Sequence, residues 1–215
     1  VSAPIDLYAF ATPNSVKVPI ALEELGVPYV LHAVNVRKGE QKAPAFVALN
    51  PNAKVPVIID PEGPEGRSVT IVESGAILIY LTEKFGGLMP SEGIARVRCL
   101  EWLFFQVSGL GPMFGQAGYF LKSAPSRVEF AVERYSAEAR RHVQVLNGRL
   151  KDQPWAAGET YTIADIALFG WIWRRAFAGV DLDDAPNVAR WLSVMEARPA
   201  VQRGVQAVEA LVPAA

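Results

Sequence analysis

Beyond the stretch Gly86 to Gly93, no segment of this 215-residue chain reads as a β-strand, whereas four segments do before it. That asymmetry excludes an all-β fold and predicts two regions built on different principles, a mixed α/β region and an all-helical one. The stretch itself combines glycine and proline with no hydrophobic period, so residues 87–93 read as a linker between domains spanning 1–86 and 94–215.

In the first region, Ile5 to Phe10 suits a strand. Asn14-Ser15 can cap a helix that runs through Val16, Ile20, Leu22 and Leu25 and stops at Gly26. Tyr29 to Val36 alternates as a second strand, Ala43 to Leu49 reads as a short helix opened by Pro44, and Asn50-Pro51-Asn52 as a turn. Val55 to Ile59 and Ser68 to Val72 are β-rich runs joined by the turn-rich segment 60–66, and Ser74 to Lys84 reads as a helix ended by Gly86-Gly87. The order β-α-β-α-β-β-α gives a parallel βαβ unit followed by an antiparallel hairpin, as in a thioredoxin-like domain. In the second region, Ile94 to Lys122 has a helical stripe that Gly109, Gly111 and Pro112 should bend. Ser126 to Leu150 is a long Arg- and Glu-rich helix. Thr162-Ile163-Ala164-Asp165 resembles a capping box with Asp in place of Glu or Gln. Ala185 to Ala197 and Ala200 to Leu211 give two more helices, separated at Pro199.

Hydrophobic residues make up 51% of the chain and charged residues 20%, which argues against disorder. A net charge of -1 gives no electrostatic case for nucleic acid. Apolar runs are broken before they could span a bilayer, and Val1-Ser2-Ala3-Pro4 shows no signal-peptide pattern. One cysteine, Cys99, excludes an internal disulfide framework and fits a reducing, cytoplasmic compartment; it reads as a buried structural residue. With His32 and His142 as the sole histidines, no His/Cys metal site is expected.

An α/β thioredoxin-like N-terminal domain followed by an all-α C-terminal domain resembles the glutathione transferase superfamily. Asn50-Pro51-Asn52-Ala53-Lys54-Val55-Pro56 looks like the family's loop before its cis-proline, Val72-Glu73-Ser74-Gly75-Ala76-Ile77 like its glutamate-serine helix start, and Thr162 to Asp165 like its helical-domain capping box. Thr12-Pro13-Asn14, where most classes place a Tyr, Ser or Cys, resembles the bacterial Nu class, which is similar to a yeast nitrogen-regulator prion protein. That likeness continues through Lys38 to Gln41, Trp102 to Met113 and Val132 to Tyr135. One departure is Ser15, where close relatives commonly have Gly. The resemblance implies glutathione as co-substrate, no metal, a homodimer, and reduction of small disulfides.

Glutathione carries two carboxylates, an ammonium and a thiol, and the candidate residues divide among them. A helix N-terminus with the Ser74 hydroxyl suits the γ-glutamyl carboxylate, and Glu73 suits the ammonium. Taken alone, Ser74 reads as an ordinary N-cap. The resemblance implies a cis Val55–Pro56 bond, with the Val55 backbone pairing to the cysteinyl part as an added strand would. Lys54 can reach the glycyl carboxylate or stand as a solvated lysine. Gln41 is a further contact for the glycyl end. Arg134, by resemblance, reaches the partner subunit's site; alone it reads as an exposed arginine on a Glu/Arg face. Thr12 and Asn14 are the catalytic candidates. A hydroxyl and an amide N–H aimed at sulfur favour the thiolate, although Thr12-Pro13-Asn14 also reads as a helix cap and turn. The expected activity is glutathione-dependent reduction of small or mixed disulfides, with a side activity toward organic hydroperoxides. The competing readings are conjugation of glutathione to electrophiles and non-catalytic, regulatory glutathione binding.

Overall fold

A computed structural model describes residues 3–213, so the first two residues of the Val1–Pro4 segment lie outside the described residues. Two compact units are present. One comprises the described residues up to Gly87 together with those from Ala197 onward, and the other runs from Leu88 to Glu196. The C-terminal helix, expected in the helical domain, therefore belongs by its contacts to the first unit.

The first unit contains β1 (Ile5–Ala9), α1 (Lys17–Leu25), β2 (Tyr29–Ala33), α2 (Pro44–Leu49), β3 (Val57–Asp60), β4 (Val69–Val72) and α3 (Ser74–Phe85), and it takes back α9 (Pro199–Glu209) from the chain's end. The sheet order is β2-β1-β3-β4. β1 and β2 pair in parallel, with Leu7 opposite Leu31, while β3 runs antiparallel to both β1 and β4. This is the expected βαβ unit plus hairpin. Alternation along β1 leaves Ile5, Leu7 and Ala9 fully buried on one face. Phe10, Phe46, Val55 and Val57 build a second apolar cluster, with Tyr8, Leu49 and Val72 packed against it. β3 begins at Val57 rather than Val55, because Pro56 has no N–H to give a ladder.

α1 stops where expected. Gly26 adopts a left-handed cap at φ 65°, and its N–H reaches the Glu23 and Leu22 carbonyls. Its start differs from the expectation: the N-cap position falls on Val16, with no side-chain cap from Asn14 or Ser15. α9 presents Ala200, Val201, Gly204 and Val208 as its buried face. At Gly204 an added Cβ would lie 2.6 Å from Ile20 Cγ1 and 2.8 Å from the Ile20 backbone nitrogen. A rigid backbone cannot yield there as a side-chain tip can. Gly204→Ala should therefore cost about 1–3 kcal/mol, read as a lower denaturant midpoint at unchanged m-value.

The second unit is helical: α4 (Gly93–Phe104), α5 (Gly111–Lys122), α6 (Glu129–Arg149), α7 (Ile163–Trp173) and α8 (Pro186–Glu196). The bend expected near Gly109 is a π-helical turn over Phe105–Leu110. Gly109 is needed there, since a Cβ would sit 2.6 Å from His142 Nε2. The capping box forms with Asp165: Thr162 accepts from the Ala164 N–H, and Asp165 accepts from the Thr162 N–H. Among the described residues no helix is long and apolar enough to cross a membrane, and no group of three or more His, Cys, Asp or Glu could hold a metal ion.

Candidate functional site

In the first unit, the loop before α1, the segment before β3 and the start of α3 meet around one cavity of about 240 Å³. Its lining is Asn14, Asn50, Asn52, Lys54, Val55, Pro56, Glu73 and Ser74. Six of the nine candidates read from the sequence are thus brought together: Asn14, Lys54, Val55, Pro56, Glu73 and Ser74. The Val55–Pro56 bond is cis. Val55 is buried at the cavity wall, while Lys54 is exposed.

The other three stand elsewhere. The Thr12 hydroxyl donates to Ser15 Oγ at 2.9 Å and accepts the Ser15 N–H at 3.1 Å. It is used to close the turn ahead of α1, which is the cap reading of Thr12-Pro13-Asn14, and Thr12 is not among the cavity's lining residues. The partner of Thr12 is Ser15, the residue that departs from the family pattern; its hydroxyl is buried and also accepts the Phe10 N–H at 3.5 Å. Gln41 sits on a 3₁₀ turn, Glu40–Lys42, with its Oε1 buried and unpaired among the described residues. Arg134 is an exposed residue of α6 in the other unit.

The start of α3 corrects the simple reading of Ser74. Glu73, at φ 68°, occupies the N-cap position and makes no side-chain cap bond, and Ser74 is the first helical residue. Its hydroxyl therefore does not cap the helix. Instead Ser74 Oγ accepts a hydrogen bond from Lys17 Nζ at 3.2 Å. The first N–H groups of α3 have no intrahelical acceptor and carry the positive end of the helix dipole, so this corner of the cavity suits an anion.

Besides Asn52, an exposed residue of the lining, sequence reasoning missed two buried residues. Lys17 is 1% exposed, and its Nζ also donates to Asn14 Oδ1 at 2.8 Å. One ammonium thus joins the loop that carries Asn14 to the start of α3. Burial lowers its pKa to about 7, opposed in part by the carboxylate of Glu73. The available signal was its setting: Lys17 is the sole charge between Phe10 and Leu22. Asn50 is the second. It is 3% exposed; its Nδ2 donates to the Lys54 carbonyl at 2.7 Å and its Oδ1 accepts the Asn52 N–H at 3.0 Å. This side chain fixes the loop that delivers Lys54 and Val55.

The cavity lining contains no cysteine and no tyrosine. Cys99 lies buried in the second unit, where burial raises its pKa despite hydrogen bonding with Thr162 and Ala164. Redox sulfur at this cavity must therefore arrive with a ligand.

The family model "Glutathione S-transferase, N-terminal domain" matches residues 11–84, and "Glutathione S-transferase, C-terminal domain" matches residues 110–199. The chain is 44% identical over 199 residues to the disulfide-bond oxidoreductase YfcG of Escherichia coli, covering 91% of this chain and 92% of that protein. A glutathione transferase from Burkholderia graminis, crystallised with two glutathione molecules per subunit, superposes with a TM-score of 0.89 at 44% identity, covering 94% of this chain and 88% of that one. A glutathione transferase from Pseudomonas putida, with one glutathione disulfide per subunit, superposes with a TM-score of 0.88 at 41% identity, covering 94% and 91%.

Proposed function

The chain belongs to the glutathione S-transferase family, and on that footing we propose that it binds glutathione in the Asn14–Ser74 cavity and uses it to reduce small or mixed disulfides. The observation that carries this reading is the meeting of Asn14, Val55 and the α3 N-terminus around one cavity without a protein thiol.

The γ-glutamyl carboxylate lies at the start of α3 and the Ser74 hydroxyl, with the ammonium on Glu73. The cysteinyl segment pairs with the Val55 backbone as an added strand. The sulfur then falls beside Asn14, whose amide N–H favours thiolate over thiol. Asn14 neither gives nor takes a proton at neutral pH, so its service is to hold a nucleophile rather than to protonate a leaving group. Disulfide exchange asks for no more, because leaving thiolates need little protonation help. The bound thiolate attacks one sulfur of the substrate disulfide and expels one thiolate. A second glutathione thiolate attacks the resulting mixed disulfide, releasing the other substrate thiol and glutathione disulfide. Two glutathione thiols are oxidised and one disulfide is reduced to two thiols, which take up the two protons. A similar protein carries two glutathiones per subunit and another carries glutathione disulfide, which supports a site where two such molecules meet.

The decisive measurement is a paired assay of glutathione with a hydroxyalkyl disulfide and with chloronitrobenzene. Rapid arylation with negligible disulfide reduction would replace this reading by conjugation. Tight binding without turnover would replace it by a regulatory role. Ser74→Ala should weaken glutathione binding about tenfold, measured by calorimetry, with a smaller change in turnover at saturation.

Nu-class placement, a homodimer and a cytoplasmic location belong to the same proposal. The dimer is supported by exposed Ile94, Val97 and Phe104, three- and seven-residue steps along one stripe of α4. A mass in solution equal to a single chain would remove it.

A further inference from the structure

The cavity holds a second layer of organisation beneath the residues that would touch ligand. Lys17 is buried to 1% exposure at the first residue of α1, and its Nζ donates to Asn14 Oδ1 at 2.8 Å and to Ser74 Oγ at 3.2 Å. Asn14 and Ser74 are 60 positions apart in the chain and both line the cavity. A buried lysine is uncommon, because desolvating the amine is costly and an uncharged side chain would pack as well. Its presence here calls for a role that a methylene chain cannot supply.

Glu73 and the two anions of a bound ligand favour the charged form of Lys17 against the cost of burial, and in that form the ammonium can only donate. Contact with Nζ therefore fixes the polarity of both partners. The Asn14 amide must turn its oxygen toward Lys17, which sets its N–H₂ on the other side. The Ser74 oxygen is used as an acceptor, so its own hydrogen must point away from Nζ. Resting on the glutathione reading above, we infer that Lys17 is a positioning residue, one that directs the donor ends of Asn14 and Ser74 toward the thiolate and the γ-glutamyl carboxylate respectively. One side chain would thus set both ends of the ligand: the carboxylate that anchors it and the sulfur that reacts. Its positive charge also lies behind both anions, where burial weakens screening.

The test uses the full chain as Lys17→Met, which keeps length and apolar volume but has no donor and no charge, and as Lys17→Gln. Glutathione affinity is measured by calorimetry and the ionisation of bound glutathione by thiolate absorbance against pH, beside a thermal melt. The expected result for Lys17→Met is a melt unchanged or raised, glutathione affinity lowered at least about tenfold, and bound-thiol ionisation displaced to higher pH. Lys17→Gln, which can still donate, should fall between. A folded Lys17→Met with wild-type affinity and wild-type thiol ionisation overturns the inference while leaving the glutathione reading intact. Failure of the wild-type chain to bind glutathione removes both. A crystal structure of the wild-type complex gives a check that needs no variant. Nζ should remain on Asn14 Oδ1 and Ser74 Oγ, with Asn14 Nδ2 on the sulfur and the Ser74 hydroxyl on the carboxylate. An Asn14 amide turned away from the sulfur, or Nζ withdrawn from either partner, overturns it.

Discussion

Asn14→Ala is expected to lower glutathione-dependent turnover of a small hydroxyalkyl disulfide by about 10²-fold. Asn14 lines the cavity and its oxygen is held by Lys17 Nζ at 2.8 Å, so the amide is oriented before ligand arrives. A charge-assisted hydrogen bond to a thiolate in a partly desolvated site is worth about 1.5–3 kcal/mol, which spans roughly ten- to a hundredfold. Ser74 and Glu73 stand at the start of α3 and, in this reading, serve the γ-glutamyl end of the ligand instead. Thr12→Ala separates the two residues of the motif. Its hydroxyl is committed to Ser15, so the variant should lose about 1 kcal/mol of stability as lost turn hydrogen bonds and less turnover than Asn14→Ala. Steady-state kinetics at saturating glutathione decide the matter. Asn14→Ala with turnover within a fewfold of wild type would remove its role.

That division between Thr12 and Asn14 marks where the sequence stops being legible. Elements set by local chemistry were readable: Gly26 as a left-handed cap, Thr162 and Asp165 as a capping box, and the strand pairing that follows from a βαβ unit and a hairpin. The lining of the candidate cavity was readable where a short motif carries it, as at Val55-Pro56 and Glu73-Ser74. What escaped depends on residues distant in sequence. α9 reads plainly as an amphipathic helix, but nothing in its stripe of Ala200, Val201, Gly204 and Val208 names α1 as the surface it covers. Lys17 follows Val16 and precedes Val18 and reads as a helix-surface lysine until α3 closes over it. Asn14 and Ser15 both have cap-forming side chains, yet α1 begins with no side-chain cap and the Thr12 hydroxyl closes the turn ahead of it. Gln41 and Arg134 came from resemblance alone; neither lines the cavity, and the place assigned to Arg134 involves a second chain.

Asp165→Ala is expected to cost about 3–5 kcal/mol of stability. The carboxylate is fully buried and serves three parts of the unit at once. Oδ1 accepts the Ala156 N–H at 2.9 Å and the Trp191 indole N–H at 3.1 Å, and Oδ2 accepts the Thr162 N–H at 3.0 Å. Truncation strands these donors where water does not reach, and each buried unpaired donor costs about 1–3 kcal/mol. Asp165→Asn should cost less, because its amide oxygen can still take one pair of donors while its N–H₂ faces the other. Burial raises the Asp165 pKa to about 6, against the lowering effect of the hydrogen bonds from Ala156, Thr162 and Trp191. The sign follows from proton binding. The folded state holds this proton more tightly than the unfolded chain, so the group's contribution is full below about pH 4 and lost as pH rises through about 6. Wild-type stability should therefore decline more steeply with pH over that interval than that of Asp165→Asn. Chemical denaturation of both proteins at several pH values tests this. Parallel pH dependences would mean that the carboxylate stays ionised throughout, with its hydrogen bonds outweighing the cost of burial.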